Sequence, residues 1–290
     1  MSLADIGLVY CAAVWGATFY MVKDSLTAVA PETLVGYRFL LSAALLLPWV
    51  MRRRCKTAHL KEAAILATLL VALYLSQTIG LKHTTAANSG FITGLFVIFV
   101  PVFLLLLFRK PPTRIQWCSA AFALIGLWML TGGIARFNFG DALTIVAAMT
   151  YAGHLLATDV FVRADADSVL LAFHQFWMTG LLSLAFGVMH GAPLGVANVK
   201  AGGVIVFLAV FPTLLAFYIQ MVAQRSTAPV KVALIFSLEP VFAALFAWTL
   251  GGEAFVPARA AGGALIVAAM IVGQLSKLDL LRRRSEVLPA

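Results

Sequence analysis

Apolar residues run along this chain in blocks near 20 long, broken by short polar connectors. At 1.5 Å per helical residue such a block covers about 30 Å, the thickness of a bilayer's hydrocarbon. The pattern predicts ten helical spans, at 3–22, 33–51, 62–81, 87–108, 115–132, 141–162, 168–189, 202–222, 232–250 and 259–276. Strands of a membrane barrel alternate apolar and polar residues, whereas these runs are continuous, so the expectation is an all-α membrane protein. Met1 to Gly7 carries Asp5 and no basic residue, so the first block reads as a retained span rather than a cleaved leader.

Breakers agree with these limits. Pro31, Pro48, Pro111, Pro112, Pro193, Pro229 and Pro257 fall at or near segment ends. Pro101, Pro212 and Pro240 fall inside spans, where each lacks an N–H and frees a carbonyl that something else must satisfy. Such prolines mark kinks, and Pro101 and Pro240 are candidates for gating positions.

Composition sharpens the class. Of 290 residues, 62% are hydrophobic and 11% charged, with mean hydropathy +0.97; soluble domains carry about a quarter charged residues. The formal net charge of +9 is distributed by topology. With the N-terminus in the cytoplasm, Lys23, Lys82, Arg136, Lys200 and Arg259 fall outside, Arg38 lies within a span, and all other Lys and Arg fall inside. The positive-inside rule then puts both termini in the cytoplasm, and the charge calls for no nucleic-acid partner. Cys11, Cys55 and Cys118 are too scattered for a disulfide framework or a metal site.

The chain also echoes itself. AAVWGATFYMVKD (12–24) against AAMTYAGHLLATD (147–159) shares its opening alanines and sets Asp24 opposite Asp159. TTAANSGFITGLFVIFVPVF (84–103) resembles STAPVKVALIFSLEPVF (226–242) with a gap, both ending in Pro-Val-Phe. Residues 1–136 and 137–276 then form two five-helix repeats, with 277–290 a basic cytoplasmic tail. An odd span count inserts the second repeat inverted, the plan of many secondary transporters, with substrate held near the midplane.

WGATF (Trp15–Phe19), YRFLLSAALLLP with Arg38, and LEPVFAALFAWTLGGE ending at Glu253 resemble the EamA-type branch of the drug/metabolite transporter superfamily across nearly the whole chain. Overall length, the aromatic first span and His154 in the sixth are most similar to its YddG-type amino-acid exporters. The resemblance implies a bacterial inner-membrane exporter of small metabolites, its cavity lined by spans 1, 3, 4, 6, 8 and 9. The second repeat departs from the pattern, with Thr150 and Tyr151 where the first has Trp15 and Gly16, so the cavity is expected to be chemically lopsided.

Individual residues carry two readings each. Trp15, Thr18 and Phe19 share a helix face, as an aromatic wall for substrate or as helix packing. His154, one turn after Thr150, is either a substrate or proton group or a neutral imidazole bonded to a neighbouring helix. Glu239 either binds a coupling proton or a substrate ammonium, or serves a structural or gating role beside Pro240; the second is favoured. Arg38 either snorkels or holds a carboxylate. Tyr74 and Gln77, with Thr78, make a polar stripe facing the expected cavity, though helix-to-helix bonding is the commoner use of such groups.

No GxxxxGK[ST] sequence is present, so ATP hydrolysis by this chain is not expected. No cofactor is expected either. A lipid-modifying enzyme would cluster its acids and histidines near an interface, and here they are scattered; a channel would build a polar pore by oligomerising. The leading reading is a secondary transporter of amino acids or similar small metabolites in the lipid bilayer, with protons as a candidate coupling ion; an exporter of other metabolites or drugs on the same fold, a lipid-modifying enzyme, and a receptor or channel, which composition does not exclude, are the alternatives.

Overall fold

Helices form wherever the sequence is continuously apolar, because a peptide group in hydrocarbon must find its partner within its own segment. The structure, a computed structural model, describes residues 2–132, 137–249 and 254–286, without the side chains of Ala87, Ala247 and residues 274–286. Arg136, Glu253 and residues 287–290 of the basic tail lie outside the described residues. Among these residues there are helices and no strands.

The helices are α1 (Leu3–Ser25), α2 (Pro31–Val50), α3 (Leu60–His83), α4 (Ala86–Gly94), α5 (Phe96–Phe108), α6 (Arg114–Thr131) and α7 (Phe139–Arg163). There follow α8 (Ser168–Met189), α9 (Val199–Leu208), a π-helical segment (Ala209–Leu215), α10 (Ala216–Gln224), α11 (Pro229–Phe236), α12 (Glu239–Thr249) and α13 (Pro257–Glu286). Pro31 and Pro229 occupy the first turns of α2 and α11, where a missing N–H costs nothing. Counting broken helices as one, eight among the described residues are long and apolar enough to cross a membrane. Helices also stand at the fifth and tenth expected positions, as α6 and as the apolar stretch Pro257–Gly273 of α13.

The packing is unchanged when the two halves are exchanged. α2 lies on α8 and α6 on α13; α3 on α7 is matched by α1 on α10, and α7 on α4 and α5 by α1 on α11 and α12. Reciprocal glycine contacts hold α6 on α13 and α2 on α8. A Cβ on Gly126 would meet the Gly262 carbonyl at 2.7 Å, and one on Gly262 would meet that of Gly126 at 2.6 Å; Gly36 and Gly180 face each other's carbonyls at 3.3 and 3.0 Å. Contact of i with j and j with i is the signature of a two-fold relation. Small residues are what allow membrane helices to approach so closely.

The ends match as well. Each half opens with a capping box, Ser2 with Asp5 and Asn138 with Asp141. Each box's acid reaches across with its second oxygen: Asp5 Oδ1 lies 2.6 Å from Lys231 Nζ at the start of α11, and Asp141 Oδ1 accepts the Thr84 hydroxyl at 2.6 Å just before α4. At the far end of α1, Lys23 donates to the Leu81 and Thr84 carbonyls; at the far end of α7, Arg163 donates to those of Arg225 and Thr227. Two closed clusters result, one at each end of the bundle.

Internal prolines act differently from one another. In the fourth expected span the interruption falls at Leu95, six residues before Pro101, which sits inside a regular α5. In the ninth it falls at Ser237 and Leu238, directly before Glu239 and Pro240.

Gly126→Ala or Gly262→Ala drives a methyl into facing backbone and should destabilise the fold by about 1–3 kcal/mol. Gly203→Ala, with open space around it, should be neutral or raise the melting temperature, since alanine favours a helix by up to about 1 kcal/mol. Thermal unfolding of the purified protein in detergent checks both.

Candidate functional site

The site begins with a proline. Pro212 has no N–H for the Leu208 carbonyl, and the helix widens to π form over Ala209–Leu215. The freed Leu208 carbonyl, and further carbonyls in and just after the segment, accept from side chains. The Thr213 hydroxyl donates to Leu208 O at 2.7 Å, Trp15 Nε1 to Pro212 O at 2.7 Å and Cys11 Sγ to Ala216 O at 3.3 Å. Ser42 shares its hydroxyl between Ala209 O at 2.8 Å and Arg38 O at 2.7 Å. Arg38 Nε in turn donates to Thr213 Oγ1 at 2.9 Å. The π segment is thereby tied to α1 and α2, and Trp15 is fixed in the middle of the bundle.

Trp15 is the hub of an aromatic cluster. Its ring centroid lies 4.9 Å from Phe236, 5.5 Å from Phe217 and 6.1 Å from Tyr151. Gly16, next to it, brings α1 against the first turn of α12, where a Cβ would meet the Glu239 carbonyl and, at 2.9 Å, the Ala243 nitrogen. That approach leaves a cavity between the halves. It is lined by Trp15, Thr18 and Phe19 of α1, Leu73, Tyr74 and Gln77 of α3, Thr93 of α4, Tyr151 of α7, Phe217 of α10 and Glu239 of α12. Those helices are the six spans the family resemblance implied.

The cavity's walls are aromatic, with a neutral polar side and one acid. Gln77 Nε2 donates to Thr93 Oγ1 at 3.0 Å, forming the polar side. Glu239 is 7% exposed and has no hydrogen bond or ion pair among the described residues. The break at Ser237 and Leu238 places it at the N-terminus of α12, where the helix dipole favours a negative charge. The space open to water is about 30 Å³; one water needs about 10–15 Å³ on this measure, so nothing as large as an amino acid enters without helix movement.

The other expected residues stand elsewhere. His154 is fully buried behind Phe217, edge-on to its ring at 5.6 Å, and its Nε2 is 3.0 Å from Gln175 Oε1. Thr150 lies outside the cavity lining, its hydroxyl bonded to the Val146 and Ala147 carbonyls of its own helix. Arg38 is buried beneath Tyr74, with its Cζ 4.7 Å from the ring centroid, and does not reach the cavity surface. Neither Pro101 nor Pro240 lines it. Leu73, Thr93 and Phe217 were missed from the sequence: two are ordinary apolar residues in apolar spans, and Thr93 sits apart from any polar stripe.

Comparison with known proteins fits this arrangement. The profile of the EamA-like transporter family matches twice, at residues 2–132 and 138–272. The chain belongs to the EamA-like transporter family. An uncharacterized transporter of Archaeoglobus fulgidus is 29% identical over 94% of this chain and 86% of its own. The uncharacterized inner membrane transporter YedA of Escherichia coli K12 is 25% identical, covering 91% and 88%. A crystal structure 20% identical in sequence has the same fold, with TM-score 0.80 over 94% of this chain and 97% of its own. The EamA-like protein is thus a multi-pass transporter of the inner membrane, and both the family and its relatives point away from an enzyme.

Trp15→Phe keeps a ring and removes the donor to Pro212 O. The EamA-like fold should lose about 1–3 kcal/mol, the cost of an unsatisfied buried carbonyl, visible as a lower melting temperature in detergent with little change in helical circular dichroism.

Proposed function

We propose that this chain is a secondary transporter of amino acids, aromatic ones included, working by alternating access across ten spans in two inverted five-helix repeats with both termini cytoplasmic. The observation that carries the proposal is the composition and place of the cavity. Four aromatic side chains from both halves, Trp15, Phe19, Tyr151 and Phe217, and Tyr74 beside them, surround a single unpaired carboxylate. Aromatic walls receive a ring or an apolar side chain, and Glu239 receives an ammonium.

The matched end clusters support the alternating cycle. Asp5 with Lys231 closes one end and Thr84 with Asp141 the other. With both closed, the cavity is too small for substrate, the state expected between the two open ones. Opening one end requires α1 to part from α11; opening the other requires α7 to part from α4. Because the halves are packed alike, the two motions are equivalent rockings of one half on the other. In this reading Glu239 holds a proton when no ammonium is present, and proton exchange is the candidate coupling.

The test is uptake into liposomes holding the purified protein, with labelled Phe, Trp, Met, Thr, Glu, Lys and one cationic drug, with and without a pH gradient. Saturable uptake of neutral and aromatic amino acids is expected. Phe19→Ala, which leaves the Trp15 bond to Pro212 O in place, should lower the Phe rate about tenfold, the loss of one aromatic wall, and lower the Thr rate less. Uptake of the drug and of no amino acid would overturn the substrate assignment.

A further inference from the structure

Arg38 carries a charge that the fold does not compensate. Its residue is 3% exposed, deep among α2, α3 and the π segment, and no acid pairs with it among the described residues. Of its guanidinium, Nε is engaged by Thr213 Oγ1, whereas Nη2 is buried with no hydrogen-bond partner. The plane rests on aromatic faces, with Cζ 4.7 Å from the Tyr74 centroid and 5.5 Å from that of Phe39. Cation–π contact with these rings offsets only part of the cost of burying an ion. A neutral side chain would bind Thr213 equally well, so packing of the π segment does not explain a cation here.

Tyr74 separates this cation from the cavity. One side of its half-buried ring carries the guanidinium, and the side chain itself lines the cavity that holds Glu239. It lies within electrostatic reach of both charges. The bundle's centre therefore presents an acid and a base, neither with a counterion among the described residues, on either side of one phenol that itself interacts with the guanidinium.

We infer that Arg38 is a carboxylate-binding subsite, opened when the Tyr74 side chain swings aside, and that substrate is held at two points, ammonium on Glu239 and carboxylate on the outer edge of the guanidinium. This inference rests on the amino-acid reading above and narrows it to substrates with both groups free. The fixed Nε bond pre-orients the guanidinium, and a planar guanidinium suits a carboxylate better than a lysine does. Amines and amides of the same shape lose the second point. Tyr74 acts as the lid of the subsite, and its displacement links substrate binding to movement of α3.

Calorimetric titration of the protein in nanodiscs, at mildly acidic pH where both ligands carry the ammonium, compares L-phenylalanine with L-phenylalaninamide. The wild type should bind phenylalanine at least about tenfold tighter, the worth of one hydrogen bond to a charged group. Arg38→Gln should weaken phenylalanine by at least about that factor and leave the amide unchanged, bringing the ratio near one. If Arg38→Gln does not fold, Arg38→Lys serves, and its ratio should also narrow. Equal affinities in the wild type, or an undiminished ratio in the variant, would overturn the subsite alone. Failure of the wild type to bind either ligand would overturn the amino-acid reading and the subsite with it.

Discussion

A carbonyl freed in hydrocarbon has no water to turn to, and the interior of this protein is organised by that constraint. Pro212 interrupts the span Val199–Gln224; carbonyls in and just after the π segment accept from Trp15, Cys11 and Ser42, and Thr213, bonded to the freed Leu208 carbonyl, accepts from Arg38. Three polar bonds thereby bind α1 and α2 of one half to the π segment of the other, and a fourth, from Cys11, reaches the first residue of α10. Lipid supplies no hydrophobic force between helices, so such bonds and close glycine contacts carry much of the association. The same bonds hold the indole of Trp15 at a depth where tryptophan is unusual.

Function follows from what that arrangement leaves unsatisfied. Three buried charged residues, Arg38, Asp141 and Glu239, have no counterion among the described residues; Asp141 is met by hydrogen bonds from Thr84 and Asn138, whereas Glu239 has none and Arg38 keeps a buried Nη2 without a partner. In a membrane interior this is expensive, and a bundle evolved only to fold would place apolar residues there. Glu239 and Arg38 sit by the cavity at the meeting of the two halves, while the charged groups at the ends are tied in matched clusters. A centre that lacks partners and ends that have them is the arrangement a carrier requires, since substrate must complete the one before movement undoes the other.

Much of this was legible in the sequence, and the physical reason is the bilayer. Hydropathy located the helices because length and apolarity are imposed by hydrocarbon thickness. Trp15, Thr18 and Phe19 were placed on one face by helical period alone, and Tyr74, Gln77, Tyr151 and Glu239 also come to the cavity. What failed to show was which face of a span is wet when no polar residue marks it, as with Phe217 and Leu73. Thr150 was drawn in by its position in the repeat, but a lone hydroxyl in a helix bonds its own preceding carbonyls. His154 is set back behind Phe217, a depth that sequence spacing does not encode. The breaks before Glu239 and at Leu95 depend on tertiary packing, and only the first lies close to its proline.

The account's central claim is that one cavity serves both sides of the membrane in turn. It is tested most directly by a single cysteine at Thr18, in a chain with Cys11, Cys55 and Cys118 replaced, labelled by a membrane-impermeant thiol reagent from either side. In the wild-type background labelling should be slow from both sides. Asp5→Asn should speed it from the cytoplasmic side only, and Asp141→Asn from the outside only. Labelling from one side alone in every variant, or from neither, would contradict the account.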